Sequence, residues 1–127
     1  MLKYKLIERG NPLKKDAPKK HYASLVPQGK KTFRDISKDI EDKSSLTRGD
    51  ISNVLENLVD QIPKYLLDGQ SVKLGELGTF RLSLSSEGCE NEADFNTSKI
   101  KSTKIIFSPG KFLKDNVDNV HFERVKN

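Results

Sequence analysis

Apolar and polar positions change period several times along this chain, and each change marks an element. Residues 3–9 alternate imperfectly and predict a strand, which Gly10-Asn11-Pro12 stops. Residues 13–20 form a loop carrying Lys14, Lys15, Lys19 and Lys20, and residues 21–26 predict a second strand closed by Pro27-Gln28-Gly29. The two strands are expected to pair as a hairpin around that basic loop. From Thr32 the period becomes helical. Phe33, Ile36 and Ile40 make a narrow apolar stripe, and Asp35 stands where a capping box needs its acid, so a helix is predicted over 32–42.

The second helix is the best specified element. Thr47 caps it, with Asp50 three residues on, and Ile51, Val54, Leu55, Leu58, Val59 and Ile62 follow the i, i+3, i+4 rule. Pro63 removes an amide donor, yet Tyr65, Leu66 and Leu67 continue the pattern up to Asp68-Gly69, which predicts one kinked helix. Its apolar density is enough to face both its own sheet and a partner. After Gly69 the period switches to two: Val72 and Leu74, then Phe80, Leu82 and Leu84, around Gly75-Glu76-Leu77-Gly78. This predicts a hairpin whose even-numbered face packs on the second helix.

Residues 85–104 are polar and carry no convincing period. Ile105-Ile106-Phe107 reads as a short returning strand, Ser108-Pro109-Gly110 as a helix start, and 111–118 as a short amphipathic helix with Phe112, Leu113 and Val117. Val120, Phe122 and Val125 predict a last strand over 119–127, placed beside the N-terminal one.

Composition adds two constraints. The chain has 127 residues, with 34% apolar and 32% charged and no Trp, so one domain with a thin core is expected, a core better completed by a second subunit. The net charge of +5 is unevenly laid out: residues 1–34 carry +8, residues 35–98 carry −7 and residues 99–127 carry +4. Both ends are basic, which permits a basic face for a polyanion. The single Cys89 lies between Gly88 and Glu90, forms no internal disulfide and reads as an exposed inert thiol in a reducing cytoplasm. The N-terminus lacks a signal peptide's apolar stretch, and no run reaches membrane-spanning length.

Catalytic chemistry finds no foothold. His21 and His121 sit in separate strands without Cys or paired carboxylates at ligand spacing, so neither a metal nor a cofactor is expected. The Gly75–Gly78 turn joins two strands rather than a strand to a helix, which excludes a phosphate-binding loop. No enzyme activity and no small-molecule substrate are expected.

The stretch Val72-Lys73-Leu74-Gly75-Glu76-Leu77-Gly78-Thr79-Phe80-Arg81-Leu82, preceded by an amphipathic helix, resembles the strand–turn–strand signature of the HU/IHF histone-like DNA-binding proteins. Ser108-Pro109-Gly110-Lys111-Phe112-Leu113-Lys114-Asp115 is similar to the stretch leading into that family's last helix. The added N-terminal hairpin and C-terminal strand resemble HU-like variants typical of Bacteroidetes. The resemblance implies an α+β fold: a helical pair and an antiparallel β-sheet with a protruding β-arm. It divides a single HU-like domain, 1–127, into an N-terminal strand extension (1–31), a core (32–118) with its arm (85–104), and a C-terminal strand (119–127).

The resemblance further implies an intertwined homodimer, cytoplasmic and nucleoid-associated, that binds double-stranded DNA through phosphate contacts and minor-groove arms with little regard to sequence. The residues matching the family's DNA-facing strand and helix are Arg81, Lys99, Lys101, Lys104, Lys111 and Lys114. One departure opens an alternative. Residues 85–104 contain no proline, hence no Arg-Asn-Pro wedge, and residues 85–94 hold four acids and no Lys or Arg. A structural or protein-interaction module on an HU-like scaffold that has lost strong DNA binding is the second reading.

Overall fold

The first two helices start at side-chain caps, which is why their boundaries match the sequence signals so closely. In the computed structural model, which describes residues 1–126, strands β1 (Leu2–Arg9) and β2 (Lys20–Leu25) precede helix α1 (Phe33–Glu41). The Thr32 hydroxyl oxygen accepts from the Asp35 amide at 3.4 Å, and the Asp35 carboxylate accepts from the Thr32 amide at 3.0 Å, so both halves of the capping box form. Helix α2 (Arg48–Leu67) is capped by Thr47, whose hydroxyl accepts from the Asp50 amide at 3.1 Å. It runs as one helix through Pro63. Gly69, at φ 81°, ends it: the Gly69 amide donates to the Leu66 carbonyl and the Gln70 amide to the Tyr65 carbonyl, a Schellman closure.

A small polar pair lies at the contact between the two helices. Ser37, in the middle of the Phe33–Ile36–Ile40 stripe, is the fully buried side chain here, and its hydroxyl lies 3.0 Å from that of Ser52. Phe33, Ile36 and Ile40 flank this contact and stay partly exposed. Among the described residues, Ile51 and Leu66 on α2 are the buried apolar side chains.

The chain then enters a three-stranded antiparallel sheet of order β3-β4-β5, made of β3 (Val72–Lys73), β4 (Gly78–Ser86) and β5 (Ile100–Pro109). The predicted turn forms, with the Leu74 amide donating to the Gly78 carbonyl at 2.8 Å. Gly75 and Gly78 both have positive φ, 53° and 148°. α2 packs on β3 and β4, and the rings of Phe80 and Phe107 lie 4.8 Å apart on the apolar face. That face outruns the helix, because Leu84 and Ile105 at its far end remain 64% and 66% exposed. Two expectations need correction. The return strand is ten residues long rather than three, and the supposedly aperiodic 85–104 segment is strand at both ends, with a register shift between Ser85 and Ser86. Paired polar residues such as Ser85 and Ser102, whose hydroxyls are 2.9 Å apart, leave no hydrophobic period to read.

Chain contacts group into two compact units: Lys31–Asp115, just described, and Met1–Lys30 with the chain from Asn116 on. Helix α3 (Lys111–Val117) runs from the first into the second. The second unit is a sheet of order β2-β1-β6, in which β1 pairs antiparallel with β2 and parallel with β6 (Phe122–Arg124). Tyr4 and Phe122 meet edge to face at 6.5 Å on one side of it. The expected last strand is thus shorter than 119–127, and Asn127 lies outside the described residues. Cys89 is half-buried rather than exposed.

Candidate nucleic-acid interface

Strand register decides which predicted cations share a surface. In the β4–β5 ladder Phe80 pairs with Phe107 and Leu82 with Ile105, which assigns the even residues of β4 to the apolar side. Arg81 pairs with Ile106 and Ser83 with Lys104, so Arg81 and Lys104 are diagonal neighbours on the opposite side. Lys73 pairs with Thr79 and joins them there from the third strand. All three cations are exposed, and none has a carboxylate within ion-pair distance among the described residues. The same side carries Ile106 and the short hydroxyl side chains of Thr79, Ser83, Ser85, Ser102 and Ser108, which let a polyanion approach the backbone. Lys73 was absent from the residues expected from the resemblance. Its signal was visible: it is the polar member of the Val72-Lys73-Leu74 alternation, on the same side as Arg81.

The arm distributes its charges differently. Beyond Ser86 and before Ile100 the chain makes two short 3-10 turns, Glu92–Asp94 and Thr97–Lys99. Lys99 is half-buried at the end of the second, its carbonyl accepting from the Glu87 amide at 2.8 Å. Lys101 lies at the register shift and its ammonium is 4.0 Å from the Glu87 carboxylate. Both therefore sit where the outgoing and returning halves of the arm meet, apart from the Lys73–Arg81–Lys104 face. Glu90, Glu92, Asp94 and Phe95 are exposed on the intervening chain.

Lys111 and Lys114 occupy the first turns of α3, three residues apart and both exposed. Gly110 fixes this helix under the β3–β4 turn: its amide donates to the Leu77 carbonyl at 3.0 Å, and a Cβ there would run into the Glu76 carbonyl. An open cleft of about 600 Å³ results, lined by Lys73 and Lys111 along with Glu76 and Asp115. Lys73 thereby links the sheet face to the helix.

Among the described residues, no group of three or more His, Cys, Asp or Glu is arranged to hold a metal ion, and no helix is long and apolar enough to cross a membrane. Hydrogen bonds from the Thr32 amide and hydroxyl hold the Asp35 carboxyl below its ordinary pKa, in a helix cap that is structural.

The sequence model of HU-HIG, described as an HU domain fused to wHTH, Ig or glycine-rich motif, matches residues 1–124. The chain belongs to this HU family. Integration host factor subunit alpha of Haemophilus influenzae is 33% identical over 89 residues, covering 68% of this chain and 93% of that protein. The same subunit of Hydrogenovibrio crunogenus is 26% identical over 90 residues, 69% and 93% of the two chains. Among solved structures, a Bacteroides vulgatus protein described as a bacterial DNA-binding protein superposes over 99% of this chain with TM-score 0.67 at 15% identity. The chain spans 48% of that protein's length. Anabaena HU, in a cocrystal structure with DNA, superposes over 71% of this chain and 100% of its own, with TM-score 0.54 at 19% identity. These two likenesses bear on the fold: the HU scaffold recurs over part of this family member, and the Bacteroides protein follows nearly all of it.

Proposed function

We propose that this HU-family chain is an architectural DNA-binding protein: a homodimer, associated with the cytoplasmic nucleoid, that holds duplex DNA by its phosphates with little regard to sequence. The observation that carries this reading is the exposed Lys73–Arg81–Lys104 face, set by register on the side of the sheet opposite Phe80, Leu82 and Phe107. A flat array of unpaired cations among serines reads no base edges. It neutralises phosphates, and binding of that kind draws on counterion release and DNA deformability. Relatives named integration host factor and a neighbour solved with DNA support it. Lys111 and Lys114 extend the face along α3, whereas Lys99 and Lys101 add contacts only as far as the arm's own acids leave them free.

Dimerisation follows from what one copy leaves uncovered. With Ile51 and Leu66 the buried apolar side chains, Val54, Val59, Leu84 and Ile105 are each more than half exposed. A second copy covering these surfaces supplies the missing core. The protein works by binding and bending, without catalysis.

The test is fluorescence anisotropy of labelled duplex DNA at several salt concentrations. The expected wild-type result is affinity that falls steeply with salt and varies little between sequences. Substitution K73Q/R81Q/K104Q should flatten the slope of log K against log salt by about 0.9 for each phosphate left unneutralised. A folded wild-type dimer with no duplex affinity at low salt would instead favour a protein-interaction module built on the same scaffold.

A further inference from the structure

We propose that the N-terminal strand unit carries a second duplex-DNA contact, formed by the basic side of the β1–β2 hairpin and its lysine loop. Alternation along β1 puts Lys3, Lys5 and Arg9 on one side of that sheet and Tyr4 and Leu6 on the other. Register extends the division across the hairpin: Arg9 pairs with Lys20 and Ile7 with Tyr22, whereas Tyr4 pairs with Leu25 and Leu6 with Ala23. One side is therefore mainly apolar, with Glu8, His21 and Arg124 as its polar members. The other is basic, with Tyr22 among the cations.

The loop continues the basic side. The Asn11 side chain accepts from the Leu13 amide at 2.9 Å, and the Lys14 amide donates to the Asn11 carbonyl at 3.1 Å, which folds the loop back into a compact turn. Around it opens a cleft of about 510 Å³ lined by Arg9, Lys14, Lys20 and Tyr22 together with Gly10 and Pro18. Lys15 and Lys19 stand on the same loop. Against these seven cations the hairpin side and loop bring Asp16, and β6 brings Glu123, which pairs in register with Lys3. None of the seven cations has a carboxylate within ion-pair distance among the described residues. Glu8, the remaining acid of β1, is turned to the other side, 3.7 Å from His21.

Lys3 and Arg9 are six residues apart on an extended strand, about 20 Å. A ridge of that length, with cations at three of the four outward positions of β1, fits a linear polyanion better than a small anionic ligand, because charge is spread along it and no buried polar group closes the cleft. A duplex carries one negative charge per roughly 1.7 Å of axis, so several phosphates can be met at once. The Tyr22 hydroxyl and the Asn11 amide supply neutral hydrogen bonds of the kind phosphate oxygens accept. The inference rests on the duplex-binding reading above and adds a contact that the HU core does not contain.

The experiment compares three full-length variants, each lacking three positive charges, by the salt dependence of duplex binding. They are K14Q/K15Q/K19Q in the loop, K3Q/K5Q/K20Q on the strands, and the control K38Q/K43Q/K64Q on α1, the turn after it and α2. Loop and strand variants should each flatten the log–log slope by about 1 to 3, with the control unchanged. Protection of the loop lysines from acetylation on adding duplex should accompany this. Circular dichroism and solution mass matched to wild type show that the fold is retained. Unchanged slopes in both hairpin variants, with wild type binding normally, overturn the second contact and leave the first reading standing. Equal flattening in the control overturns it too, since net charge alone then explains the effect. A wild type without duplex affinity sinks both readings together. Loss of binding to anionic phosphatidylglycerol vesicles, with duplex slopes unchanged, would reassign the surface to membranes.

Discussion

The hydroxyl of Ser37 on α1 lies 3.0 Å from that of Ser52 on α2, and Ser37 has no solvent exposure at all. A small side chain at this point lets the helices approach closely, and the hydrogen bond satisfies a buried hydroxyl that would otherwise cost stability. Ser37→Ala should cost roughly 1 kcal/mol by removing that bond. Ser37→Val should cost more, about 1 to 3 kcal/mol, because extra carbon has no space between the helices. Urea denaturation of both variants checks the order. A valine variant as stable as wild type would show that the helices are not held this closely.

Gly110 and Glu76 define a second close approach. A Cβ on Gly110 would strike the Glu76 carbonyl, whereas one on Gly88 meets nothing within 4 Å. Gly110→Ala should therefore lose about 1 to 3 kcal/mol and disturb the cleft between Lys73 and Lys111, weakening duplex binding as well. Gly88→Ala should be neutral or slightly stabilising, since it only restricts the unfolded chain. Thermal melts of the pair give the comparison, and equal melting temperatures would contradict it.

These two contacts also show where sequence reading stops. Thr32, Thr47 and the Gly75–Gly78 turn were legible because caps and turns are local, decided by a few neighbouring residues. Ser37 was not, since a serine in a helix ordinarily reads as surface and its burial depends on Ser52, fifteen residues away. The extended arm strands were hidden for a related reason. Ser85, Ser86, Ser102 and Thr103 offer no apolar alternation, and backbone pairing with the Ser85–Ser102 hydroxyl contact holds them in register. Of the site, the cations could be named from the sequence, but their grouping could not. Arg81 and Lys104 become neighbours only through the pairing of Ser83 with Lys104, and that same register brings in Lys73 while leaving Lys99 and Lys101 beside Glu87.

The exposed apolar residues predict the assembly. Sedimentation should give twice the 14.4 kDa chain mass, and the melting temperature should rise with protein concentration. Val54 is 61% exposed in one copy, so a polar substitution there would be almost free for a monomer. In a dimer that covers α2, V54K/V59K buries charge and should split or unfold the assembly. A V54K/V59K protein that sediments and melts like wild type would remove α2 from the interface.

The arm's acids set a limit on DNA wrapping. Glu87 holds Lys101 at 4.0 Å, and Glu90, Glu92 and Asp94 follow on exposed chain. If duplex passes along the arm, these carboxylates repel it. Glu87→Gln should release Lys101, and E90K/E92K/D94K should tighten low-salt binding and steepen the salt slope by up to about 0.9 for each further phosphate neutralised. Anisotropy titrations measure both. Affinities and slopes identical to wild type would mean that the arm stays clear of the DNA.

Acid dependence of stability should trace in part to one helix cap. The Thr32 amide first, then the Thr32 hydroxyl, hydrogen-bond the Asp35 carboxylate and hold its pKa below the ordinary value of 3.8. Both bonds favour the charged form. Because the folded-state pKa is the lower one, the folded protein resists protonation at a pH where the unfolded chain already takes up a proton. The stabilisation is therefore fully present above about pH 5 and drains away as pH falls through the ordinary value toward the folded one. Asp35→Asn removes this contribution, so its melting temperature should lie below wild type at neutral pH and converge on it in acid. Thr32→Ala removes the hydroxyl's bond to that carboxylate together with the cap to the Asp35 amide, and should cost about 1 kcal/mol near neutrality. Melting curves from pH 2 to 7 on the three proteins separate the effects. A constant gap between Asp35→Asn and wild type across that range would show that the carboxylate's charge plays no part in holding α1.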